Sequence, residues 1–295
     1  MEGGKLKLAV FGNVYQTERR ESIRTFFAAA AGMGCRVAVD SMFCDYVRRE
    51  LDLAVEPDEV FGDDDFAADF AVSLGGDGTF LATAARVGVK EIPIIGINTG
   101  HLGFLADISS DDIAEAVRSL LHGNYCIERR STLRVTAEGA EDMKYPFALN
   151  EVAILKHDNS SMISIDTFID DHFLATYKAD GLIVATPTGS TGYSLSVGGP
   201  IIFPTSNSIV LTPIAAHSLN VRPFVLDDRN TVRLTVRSRN HSFLASLDGR
   251  SRSFSDCVGL KVRKAPHSVF VVKRNDTIFF DTLRNKLMWG ADGRI

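Results

Sequence analysis

The sequence is poor in cysteine and has no long apolar run. Its four cysteines, Cys35, Cys44, Cys126 and Cys257, are far apart and form no Cys-x-x-Cys pair, so neither a zinc site nor a disulfide framework is expected. No stretch reaches the ~18 apolar residues that a membrane-spanning helix needs, and the amino terminus shows no signal peptide or anchor. These features predict a cytoplasmic protein with no membrane partner.

Long basic blocks are also absent. The chain of 295 residues is 45% hydrophobic and 23% charged, and its formal net charge is −5. This balance predicts a globular protein that is large enough for two cores, and it argues against nucleic acid or an anionic membrane as the main partner. The expected ligand is therefore a small molecule.

Apolar segments alternate with helical segments over the first 126 residues. Strands are predicted at 6–11, 36–39, 70–74 and 92–97, and helices at 18–31, 40–53, 80–87 and 111–121, with an acidic loop at 57–65. This alternation predicts an α/β domain at residues 1–126, built on a Rossmann-like parallel sheet. Ligands of such a sheet bind at the carboxyl ends of its strands.

The pattern changes near residue 127, because short strand-like segments then follow one another with little helix between them. Strands are predicted at 126–137, 147–155, 163–169, 173–177, 182–185, 208–212, 231–236, 243–247, 260–262 and 269–272. Their spacing predicts an all-β sandwich domain at residues 127–276. Residues 277–289 are predicted to form a strand and then a helix, and the segment from about 277 to 295 is expected to pack on the first domain.

The most informative motif is Gly75-Gly76-Asp77-Gly78-Thr79, which joins the strand at 70–74 to the helix at 80–87. Glycines let backbone N–H groups approach an anion, and the start of a helix adds its positive dipole end, so the turn predicts a phosphate cradle. Asp77 should repel phosphate there unless it faces a magnesium ion or a hydroxyl whose proton it accepts. Both alternatives indicate phosphoryl transfer.

Two common nucleotide-binding motifs do not fit this turn. It lacks the Gly-x-x-x-x-Gly-Lys-Ser/Thr pattern of a P-loop. Leu81 also stands where a dinucleotide fingerprint that includes Gly76 and Gly78 would require its third glycine. The turn therefore predicts a phosphate site of another kind.

A second cluster follows the apolar strand at 182–185. Residues 186–200 are rich in hydroxyl groups and glycine, and Tyr193 offers a flat face on which a nucleobase could stack. This composition predicts a pocket for a sugar and a base. A serine-threonine surface loop is the alternative, although a proline and paired glycines at defined places favour a fixed conformation.

Asn150 and Glu151 lie inside the apolar segment 147–155, where polar side chains need partners. An amide and a carboxylate match the vicinal hydroxyls of a ribose, so the pair is a candidate sugar-binding site. The alternative is that the pair ends a strand or forms a bulge.

These motifs occur in one order along the chain. Gly75-Gly76-Asp77-Gly78-Thr79 is followed by Asn98-Thr99-Gly100-His101-Leu102-Gly103-Phe104-Leu105, Asn150-Glu151, Asp180-Gly181, Thr186-Pro187-Thr188-Gly189-Ser190-Thr191, Pro213-Ile214, His217-Ser218-Leu219 and Arg222-Pro223. In this order, over residues 70–250, the chain resembles the NAD kinases. The glycine turn alone also occurs in diacylglycerol and sphingosine kinases and, in related form, in phosphofructokinases, so its combination with the hydroxyl-rich loop carries the resemblance.

The resemblance implies transfer of the terminal phosphoryl group of ATP, or in some members of polyphosphate, to the 2′-hydroxyl of the adenosine ribose of NAD, which gives NADP. It implies Asp77 as the proton acceptor and a divalent cation such as Mg²⁺ as a cofactor. It further implies an N-terminal α/β domain, a C-terminal β-sandwich that binds NAD, and assembly as a homodimer or homotetramer.

The family's site residues can be carried over to this chain one by one. Gly75, Gly76, Gly78 and Thr79 would bind phosphate, and Asp77 and Gly78 would lie at the reacting ribose. Asn150 and Glu151 would bind NAD hydroxyls, and Thr191, Gly192, Tyr193, Ser194, Leu195 and Ser196 would line the adenine pocket. Asp180 would hold the nicotinamide end, in the same chain or from a neighbouring subunit, and Lys178 and Arg250 complete the set.

Some positions depart from the family pattern. Gly192 stands where alanine is common, Lys178 where some relatives have arginine, and Arg250 where some have glutamine, while Ser161 falls at a variable binding position. The resemblance gives these four a weaker claim to a contact. His101 and His217 are expected to support the structure, because no nearby serine or cysteine requires a base.

Two other classes of protein would share the Asp77 turn. A lipid kinase of the diacylglycerol type would need an apolar or basic surface toward a membrane, which the sequence does not show, and Asn150-Glu151 would have no function in it. A non-catalytic nucleotide sensor would only be hindered by a carboxylate in a phosphate pocket.

Overall fold

The computed structural model of the protein describes residues 5–14, 19–100, 103–141, 143–157, 162–275 and 278–290. The chain divides into two compact units, the first made of residues 1–128 and 270–295 and the second of residues 129–269. None of the described helices has the length and apolar character needed to cross a membrane. The predicted positions His101 and Ser161 lie outside the described residues.

Parallel strands form the centre of the first unit. Most of their residues are buried, as expected for a sheet that is covered on both faces. The spatial order is β3 (Glu59–Phe61), β2 (Arg36–Asp40), β1 (Lys7–Gly12), β4 (Phe70–Leu74), β5 (Ile94–Ile97) and the end of β17 (Gly259–Lys273). With the end of β17 as the sixth strand, this is the Rossmann order 3-2-1-4-5-6.

Helices of the first unit connect and cover these strands. They are α1 (Arg20–Gly32), α2 (Ser41–Arg49), α3 (Asp77–Val87), α4 (Ile113–His122) and α6 (Phe279–Leu287). Phe26 of α1, Phe43 of α2 and Ile113 of α4 are fully buried in one core with the strand side chains. Asp40 begins α2 by accepting the Phe43 N–H group.

The second unit consists of two antiparallel sheets. One contains, in order, β13 (Phe224–Asp227), β12 (Ser208–Ile214), β11 (Gly181–Ala185), β8 (Glu151–Lys156), β15 (Ser242–Leu247) and β16 (Arg250–Ser255). The other contains β10 (His172–Ala179), β9 (Ile163–Ile169), β14 (Val232–Arg237) and the first part of β17, with β6 (Cys126–Glu138) and β7 (Phe147–Ala148) beside it. Residues at alternate positions of both sheets share one core, so the unit is a β-sandwich.

The predicted fold class is therefore confirmed, with local differences. Residues 59–61 form the edge strand β3 inside the predicted loop 57–65, because a three-residue strand with one buried position has too short an apolar pattern to be recognised. The predicted strand 147–155 is two strands, β7 and β8, separated by Leu149 and Asn150. Within the predicted strand and helix at 277–289, the described residues contain only helix α6.

Candidate active site

The glycine turn has the predicted geometry. β4 ends at Leu74, Gly76 is the N-cap, and α3 begins at Asp77. The N–H groups of Thr79 and Phe80 donate to the Gly76 carbonyl at 3.0 and 3.1 Å. The amides of Gly76, Asp77 and Gly78 precede these first bonds of the helix, so they are available to an anion.

The carboxylate of Asp77 lies in a nest of three backbone amides. Its Oδ2 accepts the Phe104 N–H group at 2.9 Å, and its Oδ1 accepts those of Leu105 and Ala106, each at 3.0 Å. Sequence reasoning offered a magnesium ion or a hydroxyl as the partner, and the structure adds these amides, which fix the carboxylate in place. An ionised carboxylate has about four acceptor sites, so Oδ2 keeps one for a further donor.

A lysine lies beside this carboxylate. The Lys286 Nζ atom, on α6, is 4.0 Å from Asp77 Oδ2 and 4.9 Å from the centre of the Phe104 ring. Both charged side chains are about one-third exposed, at 31% for Asp77 and 30% for Lys286, so the pair adds little to stability. Its effect is to bring a positive charge to the place where an anionic substrate would react.

A cleft of about 380 Å³ opens beside the glycine turn. It is lined by Gly12, Asn13, Val14, Arg19, Gly76, Gly78, Thr79 and Ala82. The Arg19 Nη1 atom is buried and has no hydrogen-bond partner among the described residues. An unpaired guanidinium nitrogen and free amides in one cleft suit a phosphate chain.

A larger cavity of about 500 Å³ lies elsewhere in the first unit, between α1 and residues 53–58. Its lining is mostly apolar and contains none of the predicted site residues. The smaller cleft is the candidate site, because it holds the glycine turn and the groups that bind anions.

In the second unit, Asn150 and Glu151 lie where β7 ends and β8 begins, which is the strand-end position that sequence reasoning kept as an alternative. Asn150 Oδ1 and Glu151 Oε2 are buried, and neither has a hydrogen-bond partner among the described residues. Leaving buried oxygen atoms unpaired costs free energy. The two oxygens are therefore well suited to accept donors from a ligand such as a sugar.

The environment of Glu151 changes its acidity. Burial is the main reason that its pKa rises to about 7, and the carboxylate of Asp248 adds to the rise, while the Tyr193 N–H group acts in the opposite direction. Burial also raises the pKa of Asp248. Near neutral pH the Glu151 carboxyl group is thus partly protonated, and in that form it can donate as well as accept a hydrogen bond.

The predicted hydroxyl-rich loop forms a 3₁₀ turn at Thr188–Thr191 and the short helix α5 (Tyr193–Ser196). Its hydroxyl groups mostly bind the protein: Thr186 donates to Leu149, Ser190 to Pro187, Thr191 to Thr188 and Ser196 to Tyr193, and Ser194 pairs with Thr212. The Ser190 hydroxyl also accepts the Ile202 N–H group, so the Ser190 and Ser194 hydroxyls are already bonded within the protein and hold the loop together. The loop therefore has the fixed conformation that its proline and glycines favoured. The hydroxyl groups maintain this conformation through hydrogen bonds within the protein.

Other groups of the loop reach the Asn150-Glu151 pair. A Cβ atom at Gly192 would lie 3.1 Å from Glu151 Oε2 and 3.3 Å from Asn150 Nδ2, so both side chains pass close to this glycine. Tyr193 is 39% exposed, which leaves its ring accessible to a base. Arg250 lies beside this pair, and its Nη2 atom donates a hydrogen bond to the Phe147 carbonyl at 2.6 Å.

Lys178 and Asp180 lie apart from this cluster. The register of β8 and β11 pairs Ala185 with Glu151 and Gly181 with Leu155, so Asp180 lies just beyond the opposite end of the strand pair, about 17 Å from Glu151 along the strands. The Asp180 carboxylate forms an ion pair with Lys156 at 2.7 Å. Lys178 is exposed on β10.

Sequence reasoning gave no site role to four residues that the structure places at these clusters: Arg19, Gly103, Asp248 and Lys286. Gly103 belongs to a motif that the family resemblance includes, and Asp248-Gly249 is a strong hairpin-turn signal. Arg19 and Lys286 belong to no recognisable pattern, because only the fold brings them to the site. No group of three or more His, Cys, Asp or Glu in the described part of the chain could hold a metal ion.

Comparison with known proteins gives the family. The family model of the ATP-NAD kinase N-terminal domain matches residues 20–125, and that of the ATP-NAD kinase C-terminal domain matches residues 149–274. The chain belongs to the ATP-NAD kinase family. The NAD kinase of Bacteroides fragilis is 50% identical over 290 residues, which are 98% of this chain and 100% of that protein. The NAD kinase of Porphyromonas gingivalis is 42% identical over 285 residues, 97% of this chain and 98% of that one.

Solved structures agree with the ATP-NAD kinase assignment. The crystal structure of an NAD kinase from Archaeoglobus fulgidus in complex with ATP is 25% identical, has a TM-score of 0.74, and covers 96% of this chain and 99% of that chain. The crystal structure of yeast NADH kinase complexed with NADH has a TM-score of 0.88 and covers 100% of this chain and 91% of that chain, and at 23% identity it shows the fold alone. The resemblance to the NAD kinases that the motifs indicated is confirmed.

Proposed function

We propose that this member of the ATP-NAD kinase family, which phosphorylates NAD with ATP, uses Asp77 as the proton acceptor. The 2′-hydroxyl oxygen of the adenosine ribose attacks the γ-phosphorus, the bond from that phosphorus to the bridging oxygen breaks, and ADP leaves. The hydroxyl proton passes to Asp77 Oδ2, and the product is NADP. Positioning and charge neutralisation supply most of the catalysis of such a transfer, so few catalytic side chains are needed.

The observation that carries this proposal is the state of the Asp77 carboxylate. Three amides hold it at the start of α3, and Oδ2 keeps one acceptor site. A general base needs a fixed position and a free lone pair within hydrogen-bond reach of the proton that it takes. Asp77 has both.

The donor phosphates would bind at the other groups of the glycine turn. The amides of Gly76, Asp77 and Gly78 and the dipole of α3 favour an anion there, and Gly75 and Thr79 complete the turn. Arg19 lines the same cleft, and its buried Nη1 has no hydrogen-bond partner among the residues that the structure describes. We assign these groups to the triphosphate of ATP.

NAD would bind to the cluster in the second unit. Asn150 and Glu151 present unpaired buried oxygens that suit ribose hydroxyls, and the exposed ring of Tyr193 suits the adenine. Thr191, Gly192, Ser194, Leu195 and Ser196 would shape this pocket through their backbone and packing, with Arg250 beside it.

A divalent cation, Mg²⁺ in this proposal, would enter with ATP. Mg²⁺ is commonly held by substrate phosphates and one or two carboxylates, and the donor set of this chain fits that mode better than a cage of protein ligands. Bound in this way, it would neutralise phosphate charge.

Lys178 and Asp180 suggest an assembly of several copies. Because Asp180 lies far along the strands from Glu151 and Lys178 is on β10 of the other sheet, we assign both to the nicotinamide end of a dinucleotide, which a neighbouring copy could hold. Phe224 and Val225 on the edge strand β13 are 44% and 47% exposed, an apolar surface that a second copy could cover. We therefore propose a homodimer or homotetramer. We also propose a cytoplasmic location, because its reducing conditions would keep the cysteines free.

The test is an assay of the purified protein with Mg²⁺, ATP and NAD, in which an NADP-specific dehydrogenase detects the product. NADP should form with NAD, and no phosphorylation should occur with the 2′-deoxyribose analogue of NAD or with diacylglycerol. Phosphorylation of the 2′-deoxy analogue would show that the phosphoryl group goes to another hydroxyl, and Asp77 would then not be the proton acceptor of a 2′-hydroxyl. Phosphorylation of diacylglycerol without NADP formation would assign a lipid kinase instead.

A further inference from the structure

Asp248 makes a set of contacts that neither the motifs nor the proposed function explain. It lies in the two-residue turn between β15 and β16, with φ of +47°, and Gly249 follows with φ of +82°. Its Oδ2 accepts the Leu149 N–H group at 2.7 Å, and its Oδ1 accepts those of Asn150 and Glu151 at 2.9 and 3.0 Å. One carboxylate therefore binds three consecutive amides of the segment that carries the candidate NAD-binding pair.

These bonds replace a missing part of the sheet. Leu149 and Asn150 lie between β7 and β8, where their carbonyls accept hydrogen bonds from Thr186 and their N–H groups bind Asp248. The Asp248 N–H group also donates to the Glu151 carbonyl at 3.1 Å, so Asp248 binds both the N–H group and the carbonyl of the first residue of β8. Asp248 therefore holds the N–H side of the backbone that carries the Asn150 and Glu151 side chains, while Thr186 holds the carbonyls of Leu149 and Asn150.

Asp248 also acts on Glu151 through its charge. After burial, it is the second cause of the raised pKa of Glu151. The other groups that face this pair are the Tyr193 N–H group from α5, which stabilises the Glu151 carboxylate, and Arg250 from β16, which stabilises that of Asp248. The negative charge of Asp248 therefore adds to the effect of burial on the pKa of Glu151.

We propose that Asp248 is a positioning residue of the NAD site, because its carboxylate binds three consecutive backbone N–H groups, those of Leu149, Asn150 and Glu151. This inference rests on the proposed function, in which that pair binds NAD hydroxyls. Asp248 itself touches no substrate in this proposal.

The test is Asp248→Asn, compared with Asp170→Asn as a matched control. Asparagine adopts positive φ readily, so the turn should be kept while one charge and one acceptor are lost. Asp170 has the same φ of +47° in the turn between β9 and β10, but its carboxylate binds Thr231 and Asn230. Circular dichroism would check that both variants fold.

Asp248→Asn should raise KM for NAD about tenfold, with KM for ATP unchanged within about twofold, while Asp170→Asn should change neither. A plot of KM for NAD against pH should show an inflection near pH 7 in the wild-type protein, where Glu151 titrates. In Asp248→Asn this inflection should move to lower pH, because a neighbouring negative charge is gone. In the Glu151→Gln background the inflection in KM for NAD should disappear. Adding Asp248→Asn to that background should then leave the pH dependence of KM for NAD unchanged. An unchanged KM for NAD and an unchanged inflection in Asp248→Asn would overturn the inference.

A carbon-13 NMR titration of the labelled Glu151 carboxyl group separates this inference from the proposed function, because it needs no catalysis. The Glu151 pKa should fall on Asp248→Asn and stay in place on Asp170→Asn. If Asp248→Asn does not fold, hydrogen exchange of the wild-type protein decides: the amides of Leu149, Asn150 and Glu151 should be protected, and rapid exchange of all three would reject the role of Asp248. Failure of the proposed function would instead appear as a wild-type protein that forms no NADP, or as Glu151→Gln with an unchanged KM for NAD.

Discussion

Gly103 lies directly against the carboxylate of Asp77. A Cβ atom at Gly103 would be 1.9 Å from Asp77 Oδ1 and 3.0 Å from the Ala106 carbonyl oxygen. The Gly103 N–H group donates to that same carbonyl at 2.9 Å, which closes the tight turn whose amides hold Asp77. The absence of a side chain at residue 103 is therefore a condition for the position of the proposed base.

Gly103→Ala should lower kcat, because the new methyl group must push the Asp77 carboxylate out of its amide nest. The loss should approach that of removing general-base catalysis, ~10²-fold or more, with smaller changes in KM for ATP and NAD. Steady-state kinetics would measure it. Gly32→Ala is the matched control, since a Cβ atom there meets nothing within 4 Å, and it should keep wild-type activity. Equal activity of the two variants would show that the position of Asp77 is unimportant.

Asp77→Asn should reduce kcat by ~10²–10⁴-fold and leave substrate binding largely intact, because the amide cannot accept the ribose proton. The asparagine Oδ1 can still accept the Leu105 and Ala106 N–H groups, so the local fold should persist. Asp45→Asn, at an exposed position of α2, removes one carboxylate that is not part of the cleft lining and should be neutral. Normal turnover by Asp77→Asn would exclude Asp77 as the proton acceptor.

The local part of the first site could be predicted from the sequence, and the distant part could not. A strand, a glycine turn and a helix start are encoded within about ten residues, and the structure has them at Leu74, Gly76 and Asp77. The amides that hold Asp77 belong to Phe104, Leu105 and Ala106, more than 25 residues further along the chain. Backbone groups carry no sequence signal of their own, so only the tertiary fold reveals them.

The second site shows the same limit in another form. Composition identified the loop at 186–200, but a serine hydroxyl bonds equally well to a ligand or to its own loop. In the structure Ser190 and Ser194 bond within the protein, while Asn150 Oδ1 and Glu151 Oε2 have no hydrogen-bond partner in the part of the chain that the structure describes. Which polar groups remain free depends on packing, and a pattern of residue types cannot show it.

Arg19→Ala should raise KM for ATP about tenfold and leave KM for NAD unchanged, because a hydrogen bond from a charged group to phosphate is lost. Its neighbour Arg20 is exposed and donates to the Asp52 carbonyl, so Arg20→Ala removes the same charge without touching the cleft. Kinetics with ATP as the varied substrate would separate the two variants. If both raise KM for ATP equally, the effect is one of net charge, and Arg19 has no specific contact.

Glu151 should make the stability of the protein depend on pH. Its pKa is 4.5 ordinarily and about 7 in the folded protein, so between these values the folded state binds the proton and the unfolded state does not. The favourable contribution is fully present below the unfolded value and is lost as pH rises through about 7, which amounts to at most ~3 kcal/mol.

Urea unfolding of the wild-type protein and of Glu151→Gln, at several values from about pH 5 to about pH 8, would measure this effect. The free energy of unfolding of the wild type should fall relative to that of Glu151→Gln as pH rises, because glutamine stays neutral in both states. The exposed Glu50 gives the control variant Glu50→Gln, which loses one carboxylate at the end of α2 and should follow the wild-type curve. Parallel curves for wild type and Glu151→Gln would mean that Glu151 ionises as easily in the folded protein as in the unfolded chain, and the inflection in KM for NAD that is expected near pH 7 could then not come from Glu151.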